Sequence, residues 1–453
     1  MKYFLDPFGC VKNQVDAETM MAFLGEAGWE AAADPEEARL IIVNSCGFIE
    51  SAKRESIDAV LRWRKLFPDK RILLAGCLAR RYHGELAEAL PEADLLFAGG
   101  DLRLIAGAAL RALGPSSAGK ASAPGETVPS APPQGQTSGA SPVSPAGGRR
   151  PLLSLPGSAY VKISEGCGNR CAFCAIPLIR GGLRCRGVAD VLEECRILLD
   201  RGIRELCLIG QDLGSYEPGL PNLLAALSKL PGDFWVRLLY IHPDNFPLPI
   251  LDIMEGDGRF LPYFDLPFQH ASEKILRAMN RRGGREPYLR LLGLIRSRLP
   301  DAVIRSTFMT GFPGETEEDF EALLDFQKLA RIDWMGCFAY SREEDTPAWG
   351  MKNRVGKKTA LQWKKALEDR QIPITEKQMD RFIGRGFDAL VEEKFEGDGV
   401  LYLGRLFCHA PEVDGSAVIF GERELKPGAL VRGRVAGRAG FDLEFRVSRT
   451  PVN

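Results

Sequence analysis

Residues 167–174, CGNRCAFC, carry three thiols at the spacing C-x3-C-x2-C, and the reading of this stretch decides the fold. Three soft ligands on one short loop suit iron better than zinc, whose structural sites close with a fourth ligand. The next cysteine along the chain is Cys185, and no histidine lies nearer. A four-iron four-sulfur cluster held by Cys167, Cys171 and Cys174 keeps one iron open for a substrate or cofactor. The competing reading is a loop of buried or zinc-binding thiols. The apolar run 160–163 just upstream reads as a strand, so the thiols lie on the connection that leaves its end.

Downstream, strand-like runs recur at 204–209, 235–241, 263–266, 303–310 and 335–340. Segments with helical spacing of apolar residues lie between them, at 188–201, 221–230, 248–255, 287–298 and 317–330. With 160–163 this makes six β/α units, which close naturally as a partial TIM-like (β/α)6 barrel. Polar residues gather where each strand ends: Gly210, Gln211 and Asp212, then His242, then Gln269 and His270, then Gly311 to Glu315. The strand-end face is where barrels place their chemistry. GFPGET lacks the GK[ST] ending of a phosphate-binding loop, so it signals little alone. Together with the cysteine loop, these residues outline one site.

Upstream, strands at 2–8, 40–43 and 71–75 alternate with helices at 13–27 and 50–67, a small parallel α/β unit. Cys10, Cys46 and Cys77 each fall just past one of these strands. Open parallel sheets bind ligands at the carboxyl ends of their strands, so three thiols there converge. A lone cysteine is usually a small buried hydrophobe. Three at matching strand ends point instead to a second metal cluster.

Between the cysteine sets, residues 114–150 turn to Pro, Ser, Gly and Ala with no Leu, Ile or aromatic. Such a segment reads as a flexible linker and a boundary. After a charged helical stretch at 357–383, short alternating strands from 386 to 447 read as a small antiparallel, barrel-like β-domain. The divisions expected are therefore 1–113, 114–150, 151–383 and 384–453. From Asp388 to Glu424 nine acidic residues stand against three basic ones. This β-domain therefore suits a basic polypeptide better than RNA, which calls for a basic stripe.

Formal net charge is −1, so no global field pulls the chain onto nucleic acid or membrane. Asp6 and Pro7 interrupt the first apolar residues, and no run approaches the ~18 apolar residues of a membrane span. A cytoplasmic protein is expected, in which grouped thiols among 11 cysteines mean metal or catalysis rather than disulfides.

The motifs FGCVKN, NSCGFIE, GCLARRY, CGNRCAFCAIP, LPFQHAS, STFMTGFPGETEEDF and YSREEDTP resemble those of the radical S-adenosylmethionine (SAM) methylthiotransferases over nearly the whole chain, and the β-domain is similar to TRAM modules. RLLYIHP and HAPEVDG are similar to the RimO-type branch, which modifies an aspartate on protein twelve of the small ribosomal subunit. Cys185 and His409 depart from the family pattern, which usually has Ser and Asp there. The resemblance implies two four-iron four-sulfur clusters. Cys167, Cys171 and Cys174 would hold the one that binds and cleaves SAM, and Cys10, Cys46 and Cys77 the one that carries the inserted sulfur. It implies SAM contacts at Phe173, Gln211, Gln269, Gly311 and Phe312, SAM as both methyl donor and radical source, and a separate electron donor. The partner implied is the ribosomal protein, free or in the ribosome, in preference to direct tRNA binding. A tRNA adenosine methylthiotransferase of the MiaB type shares both clusters, and a non-catalytic iron–sulfur RNA-binding or assembly factor would also carry clusters and a β-domain.

Overall fold

The computed structural model describes residues 1–114, 149–395, 401–421 and 423–448. The linker reading of 114–150 lies outside the described residues except at its two ends. Five parallel strands open the chain: β1 (Lys2–Pro7), β2 (Glu30–Ala31), β3 (Leu40–Ser45), β4 (Arg71–Gly76) and β5 (Leu95–Phe97), in the order β2-β1-β3-β4-β5. LIIV in β3 and ILLA in β4 are buried without alternation, as a parallel sheet covered on both faces requires. Helix Val11–Glu26 follows β1 directly after Cys10, helix Glu50–Leu66 follows β3, and helix Cys77–Arg81 starts immediately after Gly76, the last residue of β4.

A second parallel sheet is built from β6 (Ser158–Lys162), β9 (Glu205–Ile209), β10 (Trp235–Leu238), β11 (Phe260–Asp265), β12 (Val303–Thr310) and β13 (Trp334–Ala339). Its order runs β6-β9-β10-β11-β12-β13 with no pairing between the outer two, an open six-stranded barrel. Between β6 and β9 a two-stranded hairpin, β7 (Ser164–Glu165) and β8 (Arg184–Cys185), brackets the 167–174 loop, with Ser164 opposite Cys185. The outward face of the sheet packs with the surrounding helices into the largest apolar core. Its inward face does something the sequence did not suggest. Tyr160, Cys207, Tyr263, Val303 and Trp334 form a core with Val15 of the first helix and with Phe407, Cys408 and Ala410 of the C-terminal part. The lumen is thus closed by two other parts of the chain.

The C-terminal part comprises β14 (Gly386–Lys394), β15 (Leu401–Leu406), β16 (Ala417–Phe420), β17 (Leu430–Ala439) and β18 (Asp442–Val447), closed as β14-β15-β16-β18-β17. Closure removes the exposed edges of so small a sheet. One pair, β16 with β18, is parallel, where alternation alone predicts an all-antiparallel domain. Among the described residues no helix is long and apolar enough to cross a membrane.

Arg150, which composition groups with the linker, is fully buried. Its Nε donates to Glu18 Oε2 at 2.8 Å, and its other nitrogens reach Glu194 and the Tyr160 carbonyl. Composition over a window cannot register one residue whose three partners lie far away in sequence.

Candidate metal and cofactor centre

The three N-terminal thiols leave β1, β3 and β4, which are adjacent in the sheet. Their loops touch. Gly9 has φ +94°, and a Cβ there would lie 3.2 Å from Cys46 Sγ; a Cβ on Gly47 would lie 2.9 Å from the Cys77 backbone. Only glycine permits both approaches. Asn13 holds the cradle: its Nδ2 donates to Phe8 O at 3.0 Å and Ser45 O at 2.9 Å, and its Oδ1 lies 3.1 Å from Cys77 Sγ.

The 167–174 loop is pinned on all sides. Ala172 N donates to Met279 O at 2.9 Å, Ala348 N donates to Ala172 O at 2.8 Å, and Asn280 Nδ2 donates to Arg170 O at 2.9 Å. Buried Asp212 accepts from Asn169 Nδ2 at 2.8 Å, Asn245 Nδ2 at 2.7 Å and the His242 backbone N at 2.9 Å, tying the loop to the ends of β9 and β10. His242 Nε2 stands 4.0 Å from Cys171 Sγ, and burial, reinforced by Arg281, pulls its pKa down to about 4. The imidazole is therefore neutral. Buried Arg281 donates to Pro267 O at 2.7 Å and exerts its positive charge on Cys167, Cys171 and Cys174.

The donor sets fit iron–sulfur clusters. Burial pushes the thiol of Cys46 up to about 11 and that of Cys174 up to about 12, and it raises Cys77, Cys167 and Cys171 as well. A proton leaves such a thiol near neutrality only when a metal takes its place. Among the described residues no three His, Cys, Asp or Glu side chains converge on a single-ion position. Cluster thiolates each bind their own iron and stand apart.

One helix links the radical loop to the N-terminal triad. Helix Ile176–Arg180, directly after the loop, places Ala175 and Ile179 against Cys77. Arg180, 4% exposed, has Nη2 at 3.2 Å from Cys77 Sγ, 2.6 Å from Asn13 Oδ1 and 3.0 Å from Asp16 Oδ2, while Nη1 donates to Glu165 at 2.6 Å. Glu343 of the YSREEDTP run clamps the other side, accepting from Lys53 at 2.9 Å and Arg81 at 2.7 Å. Neither Arg180 nor Arg281 was singled out by sequence reasoning; a lone basic residue, here one at a helix end and one in a loop, gives no local sign that it is buried. Lys12 of the FGCVKN motif is also buried, its Nζ lying 3.1 Å from the ring centroid of Tyr240, and burial pulls its pKa down to about 8.

The residues expected to touch SAM fall into two groups. Phe173 and Gln211 are half-buried beside the loop, and Gln269 has φ +69° at the end of β11, a strained conformation that re-aims its side chain. Gly311 and Phe312 are less available than expected. Their backbone N–H groups donate to Glu315 Oε2, at 2.5 and 3.0 Å, and the Phe312 ring is buried against Tyr340. The Phe312 carbonyl in turn accepts from Glu315 N at 3.0 Å. Cys195, Cys207, Cys337 and Cys408 are buried fillers, and Cys185 Sγ accepts from Glu217 N at 3.4 Å on the β7–β8 hairpin.

The acidic run of the C-terminal domain does not form one exposed face among the described residues. Glu392 and Asp414 are buried, Asp388 is paired with Arg432, and Glu424 is paired with Lys394. Glu392 on β14 is buried against Arg405 of the next strand, and Asp414, on the loop between β15 and β16, is drawn into the lumen, which a count along the chain cannot see. Asp414 bonds the Tyr263 hydroxyl at 2.6 Å inside the lumen, and burial raises its pKa to about 6. Meanwhile Arg432, Arg434 and Arg446 are exposed, with Arg434 directly opposite Arg446 and the Arg446 guanidinium over the Phe420 ring.

Three family profiles match the chain: Uncharacterized protein family UPF0004 at 2–98, the Radical SAM superfamily at 161–326 and the TRAM domain at 383–447. A ribosomal protein uS12 methylthiotransferase RimO of Treponema denticola is 45% identical over 97% of this chain and 99% of its own length. RimO of Carboxydothermus hydrogenoformans is 37% identical over 98% of this chain and 99% of its own. Among solved structures, the radical SAM methyltransferase TsrM from Kitasatospora setae superposes with a TM-score of 0.56 at 16% identity, covering 77% of this chain and 74% of its own, a likeness of fold. Cysteine loop, open barrel and closed β-domain thus occur together in a chain matched nearly end to end by these relatives, and it belongs to the RimO family of radical SAM methylthiotransferases.

Proposed function

We propose that this chain installs a methylthio group on the β-carbon of an aspartate in small-subunit ribosomal protein uS12. The reading is supported above all by one contact, that of Arg180 and its helix with Cys77, which ties the helix leaving the radical loop to the N-terminal triad. Sulfur insertion needs a radical source and a sulfur carrier side by side, and a storage or assembly scaffold does not. Cys167, Cys171 and Cys174 would hold one four-iron four-sulfur cluster and Cys10, Cys46 and Cys77 the other. When bound, these clusters and SAM supply a carbon-centred radical and a transferable methylated sulfur. The protein's own work is placement. Asp212, Asn169 and Asn245 fix the radical loop, Arg281 sets positive charge beside its thiols, and the 407–414 segment seals the lumen against water. Phe173, Gln211, Gln269 and the backbone around Gly311 and Phe312 would contact SAM.

The divisions 1–113, 151–383 and 384–453 follow the three sheets, with Arg150 assigned to the barrel side. An electron donor and a cytoplasmic setting complete the reading. The exposed Arg432, Arg434 and Arg446 suit contact with RNA phosphates, which ribosomal RNA around uS12 would offer and which tRNA would offer equally. Mass spectrometry of uS12 and of tRNA from cells with and without the gene separates the two. Loss of a methylthio group from the uS12 aspartate is expected; an unchanged aspartate with a methylthioadenosine lost from tRNA would reverse the choice.

A further inference from the structure

Lys12 lies at the start of helix Val11–Glu26, two residues after Cys10, and its side chain points toward the inward face of the barrel. It is 5% exposed, yet among the described residues no carboxylate lies within ion-pair distance of its Nζ and no acceptor bonds it. Its recorded neighbour is the face of Tyr240, 3.1 Å from the ring centroid. Cation–π attraction replaces only part of the hydration such a charge gives up. The acidic groups that face it are already engaged. Asp265 is paired with Arg305 at 3.3 Å, and Glu165 with Lys162 at 2.8 Å and Arg180 at 2.6 Å. Asp16 is taken by Lys162 and Arg180. Tyr240 is held at φ +69°, a conformation bulky residues adopt only when the surroundings enforce it, and it turns the ring under Lys12. Cys10 is the acidic group that acts on it most strongly, and a buried cation that no carboxylate of its own fold pairs is a seat for a carboxylate from outside.

We propose that Lys12 binds the side-chain carboxylate of the substrate aspartate. Tyr240 and the Asp265–Arg305 pair form the wall of the seat. The inference rests on the uS12 reading above and adds the residue that recognises the modified side chain. The seat adjoins Cys10 of the N-terminal triad, so a carboxylate held there leaves the adjoining β-carbon facing the sulfur-carrying side. Asp265, opposite Arg305 in the β11–β12 register, repels a second carboxylate and confines the bound one to Lys12.

The test uses the reconstituted full-length protein and two peptides from uS12, one with the target aspartate and one with asparagine in its place. Binding is read by fluorescence anisotropy, with iron content measured on every sample. A charge-assisted bond lost to an amide is expected to cost wild type about ten- to a hundredfold in affinity. In K12Q and K12M that preference falls to about twofold or less, because aspartate binding weakens while asparagine binding holds. K12R, which keeps the charge, retains an aspartate preference clearly above both. If K12Q retains the wild-type ratio, Lys12 serves only to offset cluster charge and the proposal falls. If K12Q loses iron, K12R and the wild-type ratio decide. Wild type binding both peptides within about twofold overturns the assignment whatever the variants do. Wild type methylthiolating uS12 without an aspartate preference removes only the Lys12 seat, whereas wild type leaving uS12 unmodified removes the parent reading with it.

Discussion

Replacing Glu205 by Gln should loosen the C-terminal domain from the barrel. Glu205 on β9 is fully buried. It accepts from Arg237 Nε at 2.7 Å, Arg405 Nη2 at 2.6 Å and Ser158 Oγ at 2.5 Å. Arg405 belongs to β15 and is held in turn by Glu392 at 2.6 Å and by the His409 carbonyl at 3.2 Å. Although burial alone would raise the pKa of Glu205, Arg405 and Arg237 hold it down to about 2. Against an unfolded value near 4.5, that depression corresponds to roughly 3 kcal/mol at neutral pH. Removing one partner of a buried ion pair costs about 3–5 kcal/mol, an independent route to the same size. For a depressed carboxyl the stabilisation is complete above the unfolded pKa and is lost as pH falls through the folded one. Wild type should therefore lose protection progressively from about pH 4.5 to about pH 2. Hydrogen exchange of amides in 401–410, corrected for intrinsic rates, reads the local opening. E205Q at pH 7 should exchange about a hundredfold faster there, with its acid-dependent step diminished. Exchange within about threefold of wild type at pH 7, or wild-type protection that stays flat across the acid window, would refute the argument.

Replacing Cys167, Cys171 and Cys174 together by Ala should remove about half of the iron and all SAM cleavage, whereas the same change at Cys10, Cys46 and Cys77 should remove about half of the iron and spare SAM cleavage; full iron in either triple variant contradicts the two-cluster reading. Single Cys-to-Ala changes at Cys185, Cys195, Cys207, Cys337 and Cys408 should leave iron stoichiometry unchanged by colorimetric assay, and iron loss in C185A would overturn the three-ligand reading of the radical loop. Glu343→Ala leaves Lys53 and the buried Arg81 without their shared carboxylate, so proteolytic cleavage near helix Cys77–Arg81 should speed up by tenfold or more, following a loss of about 3 kcal/mol; an unchanged cleavage rate would show that the clamp contributes nothing.

How much was legible in the sequence follows from the range over which each signal acts. LIIV of β3 and ILLA of β4 announce buried parallel strands because both faces are covered, and a strand fixes where its exit lies. Hence Cys10, Cys46 and Cys77 could be brought together on paper despite their spacing. Residues whose role depends on partners from another layer gave no such sign. Arg150 looked like the end of a linker, Glu392 and Asp414 looked like surface acid, and Gly311 and Phe312 stood as SAM contacts while Glu315 takes their amides. The signals that could have been weighed were those in the motifs themselves. Lys12 and Asn13 in FGCVKN and Glu343 in YSREEDTP were quoted as pattern and not read as buried polar or charged groups.

The seam between the two thiol triads is made of charge more than of hydrocarbon, and this bears on how the enzyme works. Arg180 joins Asp16 of the first helix to Glu165 of the hairpin; Lys162 joins the same two carboxylates from β6; Arg150 joins Glu18 to Glu194. Buried ion pairs add little net stability over well-packed apolar residues, but they are directional, and each fails if its partners shift by a few ångströms. An apolar seam of the same area would tolerate sliding. Here sliding would strand several buried charges at once, so the N-terminal sheet and the barrel keep one register. The placement of the triads relative to each other is then a fixed property of the fold, and the reacting carbon must be delivered to it. Lys12 and Tyr240 meet where the two modules pack, one from each. A carboxylate seated there is oriented by both modules at once, and the seam's rigidity becomes selectivity for where the sulfur goes.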